Sequence, residues 1–172
     1  MNEKKYNKQI SQRIHKLCDF IIDGLPTYDL CCDHGLIGYT AYETRNIPEV
    51  TFVDQIEHIT DDLRNKINTY ASNHPFKIIT APAERIELTN QPVNVIIAGV
   101  HAQSIYNIIK HIPLNRMGDN YIFSPNSDHD YFEKTIENFN LTIDKKETIY
   151  ENGRHYPIFK CKVDSLKEFK QI

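Results

Sequence analysis

The apolar residues of this sequence fall into short continuous runs that alternate with longer segments of helical spacing. The runs are rich in β-branched and aromatic residues, as expected for strands buried on both faces of a parallel sheet. We predict strands at residues 27–32, 50–54, 76–80, 93–98 and 121–123. The amphipathic segments between them predict helices near residues 10–22, 36–45, 56–70, 102–112 and 131–139.

The last part of the chain replaces this alternation with two β-rich runs, at residues 141–150 and 156–163. Asn152-Gly153 lies between them, and Asn-Gly is the favoured pair for a type I′ hairpin turn. The sequence therefore predicts an α/β protein of Rossmann-like fold class, with a mostly parallel central sheet, helices on both faces and a terminal antiparallel hairpin. We expect a single domain over residues 1–172, divided into an N-terminal helix (1–25), a Rossmann-like core (26–165) and a short tail (166–172).

Composition adds few constraints on function. The net charge of −3 gives no overall basic surface for nucleic acid. No apolar run is long enough for a membrane span or a signal peptide, so we expect a cytoplasmic protein with no membrane partner. The four cysteines lack C-x-x-C spacing, and Cys31 and Cys32 should point to opposite faces of a strand, so we expect no metal site. The oligomeric state stays open.

The turn between the first strand and the next helix organises the chain. Here Asp33-His34-Gly35 lets the backbone reverse at the carboxyl edge of the sheet, where helix N-termini and free N–H groups bind nucleotide-like ligands. The carboxylates of Asp29 and Asp33 disfavour a pyrophosphate and favour a ligand with a cationic amino group or ribose hydroxyls. S-adenosylmethionine has both, and the G-x-G-x-x-G pattern of dinucleotide sites is absent.

A second carboxylate position lies at the end of the next strand. Asp54 follows Asp33 by 21 residues (54 minus 33), about where an acidic residue of a Rossmann-type unit binds ribose hydroxyls. The alternative is that Asp54 caps the following helix, and the two roles are compatible. The loop Ala81-Pro82-Ala83-Glu84 contains small residues and a proline that can lie flat against an adenine ring.

Motifs spread over nearly the whole chain resemble those of the bacterial TrmK-type tRNA (adenine-22-N1)-methyltransferases. The similar stretches are ISQRI at 10–14, DLCCDH at 29–34, IIAG at 96–99, SPN at 124–126 and ENGRHY at 151–156, with Asp54 at the family's acidic position. The resemblance implies a class I methyltransferase fold, S-adenosylmethionine as cofactor, S-adenosylhomocysteine as product and tRNA as a partner. The cofactor-binding residues expected from these motifs and the loops beside them are Asp29, Cys31, Asp33, His34, Gly35, Asp54, Gln55, Ala83, Glu84, Ala98 and Gly99.

The resemblance also implies catalytic and substrate-binding residues. We expect Asp33 to stabilise the cation formed on a methylated adenine, and His101 to contact the base where it enters. Arg13 and Asn126 are the expected substrate-binding residues. Asp33 as a cap of the next helix, and purely structural roles for His34 and His101, remain alternatives.

The sequence departs from the family pattern near the expected chemistry. Cys31 replaces a glycine of the first turn, which predicts a narrower pocket, and Gly99-Val100-His101-Ala102 keeps only the first glycine of a Gly-Met-Gly-Gly motif. The chain also ends without the helical C-terminal extension that the family usually carries. Two alternatives to an RNA methyltransferase therefore stay open: a catalytically degenerate methyltransferase-like binding protein, and a small-molecule methyltransferase.

Overall fold

The computed structural model describes residues 10–112 and 116–163. The helices are α1 (Gln12–Cys18), α2 (Leu36–Thr44), α3 (Glu57–Tyr70), α4 (Ala102–Ile109) and α5 (His129–Ile136), with short 3-10 turns at Ala83–Arg85 and Glu137–Phe139. The strands are β1 (Thr27–Leu30), β2 (Val50–Asp54), β3 (Phe76–Thr80), β4 (Asn94–Ala98), β5 (Asn120–Ser124), β6 (Leu141–Glu151) and β7 (Arg154–Val163). The predicted tail and the first nine residues of the predicted N-terminal helix lie outside the described residues.

The strands form one seven-stranded sheet in the order β3-β2-β1-β4-β5-β7-β6. The first five strands of this order are parallel, and β7 pairs antiparallel with both β5 and β6. The order reverses between β1 and β4, and the carboxyl ends of those two strands flank the crevice where ligands bind in such sheets. The predicted fold class is therefore confirmed.

The core lies in two layers, one on each face of the sheet. On one face α1, α2 and α3 pack over Phe52 and Ile96. On the other, α4 and α5 pack over Ile97 and Phe123. Every residue of β1, β2, β4 and β5 is buried, which explains why their sequences read as continuous apolar runs rather than as alternating ones.

The first helix is shorter than its apolar spacing predicts, because it ends at Cys18. Two buried amides bind the backbone that follows it. Asn120 Nδ2 donates to the carbonyl of Phe20 at 3.0 Å, and Asn94 accepts from Ile22 N–H and donates to its carbonyl, both at 3.0 Å. After Cys18, the N–H groups of Phe20 and Ile21 donate to the carbonyls three residues before them, and both side chains are buried, whereas Ile22 is exposed.

The terminal hairpin is as predicted at its turn and longer than predicted in its strands. Asn152 and Gly153 have φ values of 51° and 76°, the positive values that a type I′ turn needs at both central positions. The hairpin contacts α1, which lies near the other end of the sequence. Gln12 N–H, at the start of α1, donates to Glu151 Oε1 at 2.8 Å. Lys16 of α1 also forms an ion pair of 3.3 Å with Glu147 of β6.

Candidate functional site

A cavity of about 560 Å³ opens at the carboxyl edge of the sheet, where β1, β2 and β4 end. Its volume is in the range of small-molecule and cofactor sites. The predicted site residues that line it are Arg13, Cys31, Asp33, His34, Asp54, Gln55, Ala83, Glu84, Ala98 and Gly99. Side chains from five different segments of the sequence are thus brought together.

The turn after β1 has three residues in the left-handed region. Cys31, Asp33 and Gly35 have φ values of 58°, 50° and 69°. Non-glycine residues reach this region at a cost, and such strain concentrates at ligand sites. Gly35, and not Asp33, is the N-cap of α2, so the alternative in which Asp33 is the helix cap is wrong.

Cys31 stands in a backbone conformation that favours glycine, as its place in the motif predicted. Its side chain lines the cavity without filling it. Burial, with the nearby Asp54 and Glu84 carboxylates as further causes, raises the pKa of the Cys31 thiol to about 12. The thiol is therefore neutral at pH 7, and the cavity wall beside it carries the negative charge of those carboxylates.

Asp54 links the end of β2 to the turn that follows β1. Its Oδ2 accepts Asp33 N–H at 3.1 Å and its Oδ1 accepts Ile56 N–H at 3.0 Å. The N-cap of α3 is Ile56, so Asp54 is not the helix cap that was the alternative. The residue is 9% exposed and lines the cavity, and each carboxylate oxygen has a further lone pair beyond the one used by its backbone N–H.

Asp33 and His34 occupy the outer part of the cavity. The Asp33 side chain is 67% exposed, and its Oδ1 lies 3.9 Å from His34 Nε2. Asp54 binds the backbone N–H of Asp33 and not its carboxylate. The exposed Asp33 carboxylate can therefore face a ligand or solvent. The structure thus separates a buried carboxylate, Asp54, from an exposed one at the mouth.

Asp29 does not line the cavity, in contrast to its expected place among the cofactor ligands. Its side chain points to the face covered by α1 and α2, where Oδ2 accepts Gly38 N–H at 2.8 Å and Oδ1 has no hydrogen-bond partner. Through this hydrogen bond, the Asp29 side chain fixes the first turn of α2 against β1. Burial, followed by the charges of Asp54 and Asp33, raises the pKa of Asp29 to about 7.

This buried carboxyl predicts a pH-dependent stability. The pKa of this carboxyl is about 7 in the folded protein and 3.8 in the unfolded chain, so the folded protein binds the proton more tightly. Its contribution to stability is therefore present at low pH and is lost as the pH rises from about 4 through 7. Relative to wild type, we expect the unfolding free energy of the Asp29→Asn protein to rise by about 2–3 kcal/mol between about pH 5 and pH 8. Urea unfolding of both proteins at the two pH values measures this; a difference that does not change with pH would contradict it.

Gly35, His101 and Asn126 also lie outside the cavity lining. A Cβ at Gly35 would lie 2.9 Å from Leu63 Cδ1, so the residue is needed for close packing of the turn on α3. Asn126 Nδ2 donates to the Gly99 carbonyl at 2.8 Å, and its own N–H donates to the Val100 carbonyl at 2.9 Å. Asn126 therefore holds the loop after β5 against the loop after β4 and acts on the cavity wall indirectly.

His101 is exposed and belongs to a short hydrogen-bonded chain. Its Nδ1 lies 2.7 Å from Ser127 Oγ, and the Ser127 hydroxyl donates to Asp128 Oδ2 at 3.0 Å. Since the hydroxyl proton is used toward Asp128, Nδ1 is the donor in this contact, and in the neutral imidazole Nε2 is then the acceptor. Asp128 has a φ of 55°, so this loop too is held in a strained conformation.

Arg13 forms part of the wall on the side of α1. Its guanidinium carbon lies 4.7 Å from the centroid of the Tyr156 ring, a cation–π contact with the terminal hairpin. A Cβ added at Gly99 would lie 3.7 Å from Arg13 Nη2. The guanidinium is therefore close to the carboxyl end of β4.

The prediction missed a second group of cavity residues, those on helices. Ser104, Asn107 and Ile108 of α4 line the cavity, as do Ile56 and Ile59 at the start of α3. Each set has the three- or four-residue spacing of one helix face, which is the signal that was available. That signal does not say which face of a helix borders a cavity rather than the core.

The remaining sequence-based expectations concern metals and cysteines. Cys31 packs with the core on one face of the sheet and Cys32 with the core on the other, as predicted. Within residues 10–112 and 116–163, no group of His, Cys, Asp and Glu side chains is arranged to hold a metal ion. Over the same residues, no helix is long and apolar enough to span a membrane.

Comparisons with known proteins agree with this geometry. A family model described as a methyltransferase domain matches residues 10–159. Similar structures include Streptococcus pneumoniae Sp1610, a proposed tRNA (m1A22) methyltransferase, which is 19% identical with a TM-score of 0.82 over 94% of this chain and 73% of that one. They also include M. capricolum TrmK, solved with S-adenosylhomocysteine, which is 18% identical with a TM-score of 0.77 over 94% of this chain and 74% of that one.

The m1A22 tRNA methyltransferase TrmK of B. subtilis is a third similar structure. It is 12% identical, with a TM-score of 0.80 over 90% of this chain and 67% of that one. A search of curated protein sequences found no significant match. At these identities the structures establish the fold, and that fold is the one implied by the motifs of the sequence.

Proposed function

Because this chain belongs to the methyltransferase-domain family, we propose that it is an S-adenosylmethionine-dependent enzyme that methylates a ring nitrogen of adenine in RNA. Family membership confirms the predicted enzyme class. The observation that carries the cofactor is Asp54, a buried residue at the end of β2 that lines the cavity and whose carboxylate oxygens each accept a single backbone N–H. Ribose hydroxyls are the donors that such a carboxylate recognises.

The residues around the cavity fit this cofactor. Asp54 and Glu84 place negative charge beside it, which suits a ligand that carries a sulfonium and an ammonium group. The neutral Cys31 thiol adds no competing charge, and the volume of about 560 Å³ argues against the narrowed pocket that its side chain predicted. Ala83 and Glu84, in a 3-10 turn, are proposed to border the adenine ring.

When bound, S-adenosylmethionine supplies a methyl group that is already activated by the sulfonium. The protein therefore needs mainly to align a nucleophilic nitrogen and to exclude water, and alignment alone contributes several kcal/mol to lowering a barrier. We propose that the Asp33 carboxylate, which is exposed at the cavity, stabilises the positive charge that develops on the adenine ring. The free Nε2 of His101 is suited to accept a hydrogen bond from the exocyclic amine of the base.

The RNA acceptor is proposed by analogy with the similar structures, of which two are TrmK proteins and one of these is named as a tRNA methyltransferase. We propose tRNA as the substrate class, N1 of adenine as the acceptor atom and the cytoplasm as the place of action. Arg13, on the wall near Gly99, is the proposed contact to the RNA. The single-domain boundaries given by the sequence remain part of this proposal.

The cofactor is tested by calorimetric titration of the purified protein. We expect S-adenosylmethionine and S-adenosylhomocysteine to bind with micromolar dissociation constants, about −8 kcal/mol. Adenosine triphosphate is the matched control, because it shares the adenosine but carries a triphosphate that the acidic cavity disfavours. Absence of heat with both cofactors, for a protein with a cooperative unfolding transition, would overturn the enzyme assignment in favour of a binding role.

The acceptor is tested separately. The protein is incubated with methyl-labelled S-adenosylmethionine and unmodified tRNA transcripts, and the digested RNA is analysed by mass spectrometry. N1-methyladenosine at one position would support the proposal. A protein that binds the cofactor and leaves every transcript unlabelled would rule out these tRNAs and favour the small-molecule alternative.

A further inference from the structure

The terminal hairpin projects beyond the carboxyl edge of the sheet, on the same side as the cavity. The β7 residue that pairs nearest the carboxyl end of β5 is Phe159, which lies opposite Phe123. The residues of β7 before Ile158 pair only with β6, so they extend past the end of β5. At roughly 3.4 Å per residue, Arg154 reaches about 14 Å beyond Ile158.

We call residues 150–156 the hairpin tip. One face of the tip carries Tyr150, which is 64% exposed, and the exposed His155 opposite it. Their ring centroids lie 4.9 Å apart with an angle of 46° between the planes. Arg154 pairs with Glu151 and so projects from the opposite face of the tip; it is exposed and forms no ion pair with any residue that the structure describes.

The other face of the tip is fixed to the cavity wall. Tyr156 lies beneath the Arg13 guanidinium at 4.7 Å, and Arg13 lines the cavity. Glu151 accepts the backbone N–H of Gln12 at 2.8 Å. These two contacts occupy the acidic residue of the tip and fix the tip relative to the site, so its aromatic face has a defined position.

That position is within reach of a nucleotide next to one held in the cavity. Two strand spacings of about 4.8 Å separate β7 from β4, and His155 lies about 10 Å past the sheet edge. Between them lies the loop that Asn126 binds to Gly99. A single strand entering the cavity at Gly99 would pass over this loop toward the tip.

The chemistry of the tip fits a nucleobase. Large exposed aromatic rings beside cationic groups, with no exposed aliphatic residue among residues 150–156, are typical of surfaces that stack unpaired bases. We propose that the hairpin tip stacks, on the Tyr150–His155 pair, a base of single-stranded RNA adjacent to the methylated one. This inference rests on the proposed RNA methyltransferase function.

The test compares Tyr150→Ala with wild type in two assays. The first is anisotropy of a fluorescein-labelled single-stranded polyadenylate RNA, and the second is calorimetric binding of S-adenosylhomocysteine. We expect Tyr150→Ala to weaken RNA binding about tenfold or more, and to leave the cofactor affinity unchanged because Tyr150 is not a cavity residue. Tyr150→Phe should restore RNA binding, since the phenyl ring stacks without the hydroxyl.

Tyr70→Ala is the matched control, because Tyr70 is a 46% exposed tyrosine at the end of α3, away from the hairpin. Wild-type RNA affinity in Tyr150→Ala would overturn the inference while leaving the proposed function intact. Equal losses in Tyr150→Ala and Tyr70→Ala would also overturn it. A wild-type protein that binds the cofactor and no RNA would overturn the inference together with the RNA acceptor, whereas a protein that binds RNA and no cofactor would overturn the enzyme assignment alone.

Discussion

Replacing Asp54 with Asn is expected to weaken S-adenosylmethionine binding by a factor of about one hundred or more. Two charge-assisted hydrogen bonds to ribose hydroxyls would be lost or weakened, and each contributes about 1.5–3 kcal/mol. The variant also disturbs the site itself. The carboxylate accepts one N–H on each oxygen, from Asp33 and Ile56, whereas an amide accepts on one oxygen and turns its NH2 toward the other donor.

Calorimetry with S-adenosylhomocysteine measures this effect, since the product carries the same ribose. Asp61→Asn is the control, because Asp61 is an exposed carboxylate of α3 that pairs with Arg64 and does not line the cavity. Urea unfolding of both variants separates loss of the ligand contact from loss of the fold. Wild-type affinity in a folded Asp54→Asn protein would show that the ribose is bound elsewhere.

Replacing Gly38 with Ala is expected to cost about 2–4 kcal/mol of unfolding free energy. A Cβ at this position of α2 would lie 2.5 Å from Phe52 Cε1, 2.9 Å from Val50 Cγ1 and 3.1 Å from Asp29 Oδ2. Phe52 and Val50 are fully buried, so neither has free space to move into. Helix propensity alone favours alanine over glycine by about 1 kcal/mol, so any measured loss understates the clash.

Gly24→Ala is the control for this substitution. Gly24 has a φ of 83° and nothing within 4 Å of an added Cβ, so its replacement tests conformational strain without a clash. We expect it to cost about 1–2 kcal/mol. Phe52→Leu should recover part of the Gly38→Ala loss in the double variant, because a shorter side chain removes the closest contact. Simple additivity of the two single effects would contradict a direct clash.

The sequence specified the parts of this fold that depend on local chemistry. Asn152-Gly153 defined the hairpin turn because few other residue pairs tolerate positive φ at both positions. The apolar runs defined the strands because a doubly covered parallel strand has no polar face. Asp54 was found because its distance from the first turn reflects the length of one strand–helix–strand unit.

The orientation of Asp29 was beyond this kind of reasoning. In a strand whose every residue is buried, alternation does not distinguish the face toward a cavity from the face toward a helix. The positions of His101 and Asn126 depended on the packing of two loops that are distant in sequence. The end of α1 depended on Asn94 and Asn120, whose amides bind a segment far before them in the chain.

The contact between α1 and the terminal hairpin has a consequence for synthesis on the ribosome. Gln12 and Glu151, which share a hydrogen bond, are 139 residues apart in sequence. The first helix thus leaves the ribosome long before its partner residues on the hairpin exist. We expect its contacts with the hairpin to form late, after the hairpin has joined β5, so that assembly of the cavity wall at Arg13 is among the last events of folding. An arrested nascent chain that stops before β6 would carry the turn after β1 and lack the finished wall.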